Sequence, residues 1–268
     1  MKIAVIGPQG NLGHELVTRG CIPVSCDLLS DDLQDELKKI HPEVVINCAA
    51  KNGPEKAIEQ AEEFRAVNTR GVSKLLRAFE GRVIHISTDY VFDGERGNYT
   101  EVDDPNPVNY YGLTKWGGEI FANVLGDGRA CVVRTSWLYG GYKHNDLVQT
   151  ILNGIQKGGD PPLMAVSYKS NPTYIPHLAN ALLELVGVDH LPPMLHIAGL
   201  DTVSRYEFAR ELIAVWNLPK FFLPSDYFLD NSTAKRPKNS SLNCNLAQTL
   251  GLTLQSLFKG LVAYNAAY

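Results

Sequence analysis

Several features that mark specialised proteins are missing from this chain. No apolar run reaches the roughly 18 residues of a membrane-spanning helix. The first apolar stretch, Ile3-Ala4-Val5-Ile6, is too short for a secretory signal. No membrane association is therefore expected. There is no excess of basic charge, since 25 Lys and Arg stand against 29 Asp and Glu for a net charge of -4. That balance lacks the electrostatic footprint of a nucleic-acid binder. The 5 cysteines (Cys21, Cys26, Cys48, Cys131 and Cys244) are odd in number and contain no Cys-x-x-Cys pair. This excludes a disulfide framework and points to reduced thiols in a cytoplasmic protein. Clustered Cys and His at zinc spacing are also lacking, so no metal is expected. Repeats and low-complexity segments are absent.

What is present is an ordinary soluble composition, 44% apolar and 20% charged over 268 residues. The first half alternates short apolar runs with helical patterns. Strands are expected at Lys2–Ile6, Ile22–Cys26, Val44–Cys48, Val83–Ser87 and Ala130–Thr135. Helices are expected at Asn11–Arg19, Asp31–Ile40, Glu55–Phe79 and Tyr111–Leu125. This alternation implies an α/β fold with a parallel sheet covered on both faces. The second half is less regular. Helices are expected at Asp146–Gln156, Pro176–Val186 and Ser204–Trp216, the last with a Ser204/Glu207 capping box. Short strands are expected at Pro162–Val166 and Met194–Ala198. Residues 1–145 read as a Rossmann-type, doubly wound, dinucleotide-binding domain. Residues 146–268 read as a smaller substrate-binding lobe interleaved with elements that return to the main sheet.

Gly7-Pro8-Gln9-Gly10-Asn11-Leu12-Gly13 spaces three glycines between the first strand and the first helix. Glycine there lets the backbone turn tightly and approach a pyrophosphate, which the helix N-terminus then attracts. Gly7, Gln9, Gly10, Asn11, Leu12 and Gly13 are thus candidate cofactor contacts. An acid for the adenosine ribose is expected near the end of the second strand, where Asp27 and Leu28 stand. Asp27 follows Gly13 sooner than the roughly 20 residues usual in this motif, so it could equally cap the next helix. Cys48, Ala49 and Ala50 end the third strand at the ligand edge of the sheet, either as a close seat for the cofactor or as small core residues.

Tyr111 and Lys115 are four apart on an expected helix and so share one face. A nearby ammonium favours the phenolate and would lower the tyrosine pKa, making Tyr111 a proton donor or acceptor at neutral pH. The fourth strand exits into Ser87-Thr88-Asp89-Tyr90, an unusually polar end to a buried run.

With these motifs together, the chain resembles the extended short-chain dehydrogenase/reductases, in particular their dTDP-4-dehydrorhamnose reductase branch. The resemblance rests on Gly7–Gly13, Asn47–Ala50, Val67-Asn68-Thr69, Ser87–Gly94, Tyr111–Lys115 with Gly118-Glu119, Arg134–Gly140, Asn171-Pro172-Thr173 and Arg236–Ser240. It implies NADPH or NADH as cofactor and a nucleotide-diphosphate sugar as substrate, reduced at a C4 ketone. It also implies Thr88 on the ketone oxygen, Tyr111 as proton donor and Lys115 on the nicotinamide ribose. Ser87 and Asn68 join the implied cofactor side, Asn68 otherwise as a helix-packing amide; Asp89, Tyr90, Trp137 and Arg236 join the implied substrate side, though Asp89 could equally cap the loop. Dehydratases of this superfamily carry Thr-Asp-Glu at the strand exit. Tyr90 lacks that carboxylate, which favours reduction over elimination. Relatives often pair helices into a homodimer, for which Trp116 and Phe121 are candidates, as they are for the core. The chain departs from the family at Lys51-Asn52, Asn145-Asp146 and Ser167-Tyr168, which leaves the sugar open. A nucleotide-sugar epimerase or dehydratase with tightly held NAD, and a non-catalytic subunit binding a partner enzyme, are the rival readings.

Overall fold

The computed structural model describes residues 1–143, 145–157, 162–219 and 222–268. The early apolar runs form β1 (Ile3–Ile6), β2 (Ile22–Pro23), β3 (Val44–Asn47), β4 (Arg82–Thr88) and β5 (Ala130–Thr135). Together with an edge strand from the second half, Met194–His196, they build a 6-stranded sheet in the order β2-β1-β3-β4-β5-edge. All its pairings are parallel. The helices are α1 (Asn11–Thr18), α2 (Leu33–Ile40), α3 (Pro54–Glu59), α4 (Ala61–Arg65), α5 (Gly71–Ala78), α6 (Tyr110–Gly126), α7 (Leu147–Lys157), α8 (Ile175–Val186) and α9 (Arg205–Val215).

Alternate side chains of the strands serve opposite layers. Val5, Ile46, Ile84 and Val133 pack against Leu12 and Leu16 of α1 and Leu178 and Leu182 of α8. Ala4, Val45, Val83 and Val132 pack against Leu37 of α2, Leu75 of α5 and Ala122 of α6. Covering both faces explains why the strands read as continuous apolar runs. Strand order reverses at β1, with β2 on one side and β3 on the other, so a crevice opens beyond their carboxyl ends. The second half adds a separate aromatic cluster of Tyr139, Tyr174, Phe208 and Tyr264, which joins α9 to the C-terminal helix Leu257–Ala267. No helix among the described residues is long and apolar enough to cross a membrane.

Two expectations are corrected, and one open choice is decided. The helix expected over Glu55–Phe79 is broken at Gln60 (φ -118°, ψ 40°) and again by a π turn at Ala66–Arg70. That turn holds Asn68 fully buried, where its amide accepts from Lys51 N at 2.9 Å, donates to Lys51 O at 3.0 Å and to Thr114 Oγ1 at 3.1 Å. A satisfied buried amide thus holds the extra residue in place. The strand expected over Ile22–Cys26 stops at Pro23, because the Ser25 and Cys26 amides turn to the Glu36 carboxylate of α2 instead of a sheet neighbour. Trp116 and Phe121 pack against core clusters; the exposed apolar residues of α6 are Leu113, Ile120 and Val124. The Ser204/Glu207 capping box forms as expected.

One ion pair joins the three central elements. Glu119 of α6 receives Arg134 Nε at 3.0 Å and Arg134 Nη2 at 2.7 Å, both residues being buried. Ser87 Oγ of β4 donates to the same carboxylate, and the guanidinium lies over the Phe92 ring at 4.9 Å. Removing one member would leave the other charge buried and unpaired, which typically costs about 3–5 kcal/mol. Urea unfolding of Glu119→Ala should show a loss of that order; a loss below about 1 kcal/mol would contradict the role assigned to this pair.

Candidate active site

A cleft of about 400 Å³ lies at the carboxyl edge of the sheet. Gly10, Asn11, Leu12 and Gly13 form one wall, and Cys48 and Ala50 beyond β3 form the next. Gly7 turns the chain out of β1 with φ +79°, and a side chain there would collide with the Ala49 backbone. No side chain caps α1, whose N-cap is Gly10. Its first N–H groups thus remain available at the wall of the cleft, as a pyrophosphate would need. The loop, the uncapped helix and the small Ala50 together fit a dinucleotide.

The other wall carries the chemistry. Thr88 ends β4 and caps the short turn Asp89–Val91, its Oγ1 accepting from Tyr90 N at 3.2 Å. Asp89 is buried and gathers three hydroxyls: Thr88 donates to Oδ1 at 3.2 Å, while Ser136 at 3.0 Å and Ser240 donate to Oδ2. Burial pushes the Asp89 carboxyl up to about 6, against the pull of those hydroxyls. Tyr111 lies in the first turn of α6 beside Thr88 and donates to Asn52 Oδ1 at 3.4 Å. Its ring meets Tyr90 edge-on at 5.9 Å. The close fit depends on Gly112, where any Cβ would strike the Tyr90 carbonyl. Lys115, one turn on, is buried and donates from Nζ to Ile86 O at 2.7 Å. Burial brings its pKa down to about 8, with Glu119 opposing.

The expected lowering of the Tyr111 pKa is not found. Burial raises it, and the Lys115 ammonium is turned to the Ile86 carbonyl. Tyr111 is therefore a phenol at neutral pH, a form that can give a proton but not take one.

Of the other sequence-expected residues, Ser87 and Trp137 line the cleft, and Trp137 packs on Phe208 at 4.8 Å. Arg236 lines an adjoining pocket of about 50 Å³ that shares Tyr90, Trp137 and Arg205 with the cleft. Six residues stand elsewhere. Gly7 and Ala49 support the wall from behind. Gln9 is exposed and its carbonyl accepts from Tyr142. The exposed Asp27 accepts from Leu29 N at 2.9 Å, closing its own turn. Leu28 is a core residue that fills the space left by Gly71. Asn68 is enclosed behind Lys51 and does not line the cleft.

Sequence reasoning missed Arg205, which lines both cavities and lies over the Trp137 indole at 5.8 Å. Its only signal was its place directly after the capping serine. Glu55 was also missed. Its carboxylate pairs with both terminal nitrogens of Arg236, at 2.6 Å for the Nη2–Oε2 contact.

Comparison with known proteins places the chain among its relatives. A dTDP-4-dehydrorhamnose reductase of Mycolicibacterium smegmatis is 36% identical over 94% of this chain and 81% of its own length. A methionine adenosyltransferase 2 subunit beta of Rattus norvegicus is 30% identical over 86% of this chain and 71% of its own. The crystal structure of a dTDP-4-dehydrorhamnose reductase from Bacillus anthracis in complex with NADP superposes with a TM-score of 0.91 at 26% identity, covering 100% of both chains. The family described as RmlD substrate binding domain matches residues 1–266, and the chain belongs to that family, within the extended short-chain dehydrogenase/reductases.

Proposed function

We propose that this protein reduces the C4 ketone of a nucleotide-linked 4-keto-6-deoxy sugar of the dTDP-4-dehydrorhamnose type, with NADPH or NADH as reductant. The observation that carries the reading is the meeting of Thr88, Tyr111 and Lys115 in one cleft whose single lining carboxylate among the described residues, Asp89, is engaged by hydroxyls. Elimination in the dehydratases uses the extra acid that follows Thr-Asp, and Tyr90 stands in its place here. Reduction needs a proton donor, which the protonated Tyr111 supplies.

The nicotinamide dinucleotide supplies the hydride when bound. Gly10, Asn11, Leu12 and Gly13 would hold its pyrophosphate at the N-terminus of α1, Cys48, Ala50 and Ser87 would lie alongside, and Lys115 would hold the ribose. Thr88 fixes the ketone oxygen beside the Tyr111 hydroxyl, so that charge growing on that oxygen meets a prepared donor. Tyr90 and Trp137 border the sugar, and Arg236 faces the diphosphate from the adjoining pocket. The unpaired thiols fit a cytoplasmic setting. Leu113, Ile120 and Val124 on α6 are 45%, 45% and 71% exposed, and they would form the contact of a homodimer. A partner-binding subunit has no need for the three reactive side chains to converge, and turnover distinguishes the two readings.

With dTDP-4-keto-rhamnose and NADPH, Tyr111→Phe should lose about a hundredfold or more in kcat while both KM values change little. Full activity in that variant would end the mechanism. Lys115 is charged below about pH 8 and neutral above it, so kcat/KM should fall as pH rises past that value. Lys115→Arg, charged throughout, should lack this limb whatever its absolute rate; a limb that persists there belongs to another group.

A further inference from the structure

The pocket beside the cleft has an unusual balance of charge. Arg205, Arg236 and Lys169 all line it, and no carboxylate among the described residues does. Lys169 reaches Glu207 only at 4.0 Å on the surface. Arg205 makes no ion pair among the described residues and instead lies over the face of Trp137. Arg236 is nearly buried, its side chain 10% exposed, and it is held from behind by Ser232 Oγ at 3.0 Å and the Ala234 carbonyl at 2.8 Å. Both of those bonds leave from Nη1, so one arm of the guanidinium has protein partners besides Glu55, while Nη2 donates to Glu55.

Glu55 is the looser partner. Its side chain is 38% exposed and comes from the first turn of the six-residue α3, on the far side of the cleft rim. Its carboxyl is held below the usual range by Arg236 first, with Arg205 adding to the same pull. One partly exposed carboxylate thus answers two guanidiniums, each of which has a further contact of its own. A planar oxyanion bonded to both arms of a guanidinium imitates a phosphate in geometry as well as in charge.

We propose that Glu55 is an internal stand-in for the substrate's diphosphate, and that Arg205 is the second guanidinium of the seat, the residue that sets its preference for a diphosphate over a monophosphate. The proposal deepens the nucleotide-sugar reading and rests on it. When the diphosphate binds, it takes the donors of Arg236 from Glu55 and engages Arg205 at the junction of the two cavities. Glu55 therefore opposes binding, whereas an acid that merely oriented Arg236 would assist it.

The test is calorimetric titration of the full chain with thymidine diphosphate and thymidine monophosphate at fixed salt, which needs no turnover. Arg205→Gln should weaken the diphosphate about tenfold or more, the scale of losing one charge-assisted contact, and weaken the monophosphate much less. Arg205→Lys should restore part of the loss. Glu55→Gln should tighten the diphosphate severalfold, and Glu55→Asp, which keeps the charge, serves if Glu55→Gln does not fold; its shorter reach should also tighten binding. Weaker binding in the Glu55 variants, unchanged binding in Arg205→Gln, or no binding to wild type and Glu55 variants alike would each overturn the proposal. Absence of ketone reduction by a wild-type protein that shows the expected ranking would sink the proposed reaction and leave the seat standing.

Discussion

The buried pair of Glu119 and Arg134 is the constraint around which the rest is arranged. β4 supplies Thr88, β5 leads into Ser136 and Trp137, and α6 supplies Tyr111 and Lys115. Glu119 touches all three elements, through Ser87, Arg134 and its own helix. An apolar contact could hold them together as firmly, but it would tolerate sliding. A two-pronged ionic contact closed by a hydroxyl has a narrow geometric optimum, and catalytic geometry is sensitive to displacements of an ångström.

The same economy of hydroxyls appears one layer nearer the solvent. Asp89 draws together Thr88, Ser136 and Ser240, so the ends of two strands and the C-terminal segment meet at one carboxylate. Asp89 is thereby structural in its contacts although it lines the cleft. The polar exit of β4 is the visible part of two stacked networks, with Thr88 and Tyr90 at the wall of the cleft.

Much of this was legible in the sequence because its signals are local. The strand runs, the glycine loop and the Tyr111/Lys115 spacing each follow from the geometry of one element, and each was found near its expected place, with β2 cut short. What escaped depends on contacts between distant segments. Glu36 ends β2 early by taking two of the chain's amides. Asn68 produces a π turn by bonding a loop 17 residues away. The Glu55–Arg236 contact spans 181 residues, and nothing near either residue announces it. The raised pKa of Tyr111 belongs to the same class: spacing placed a lysine beside it, but burial and the Ile86 carbonyl decided the outcome.

Helix α6 carries Tyr111, Lys115 and Glu119 at successive four-residue steps. At 3.6 residues per turn, inserting or deleting one residue rotates everything beyond it by about 100°. Such a change between Tyr111 and Glu119 would point either the phenol or the carboxylate away from its partner, however mild the residue involved. Over evolutionary time this nine-position window can exchange side chains on its outer face freely but cannot change length. Length invariance here, more than identity at any one surface position, is therefore the mark by which descendants of this site should be told from lineages that have kept the fold and lost the chemistry.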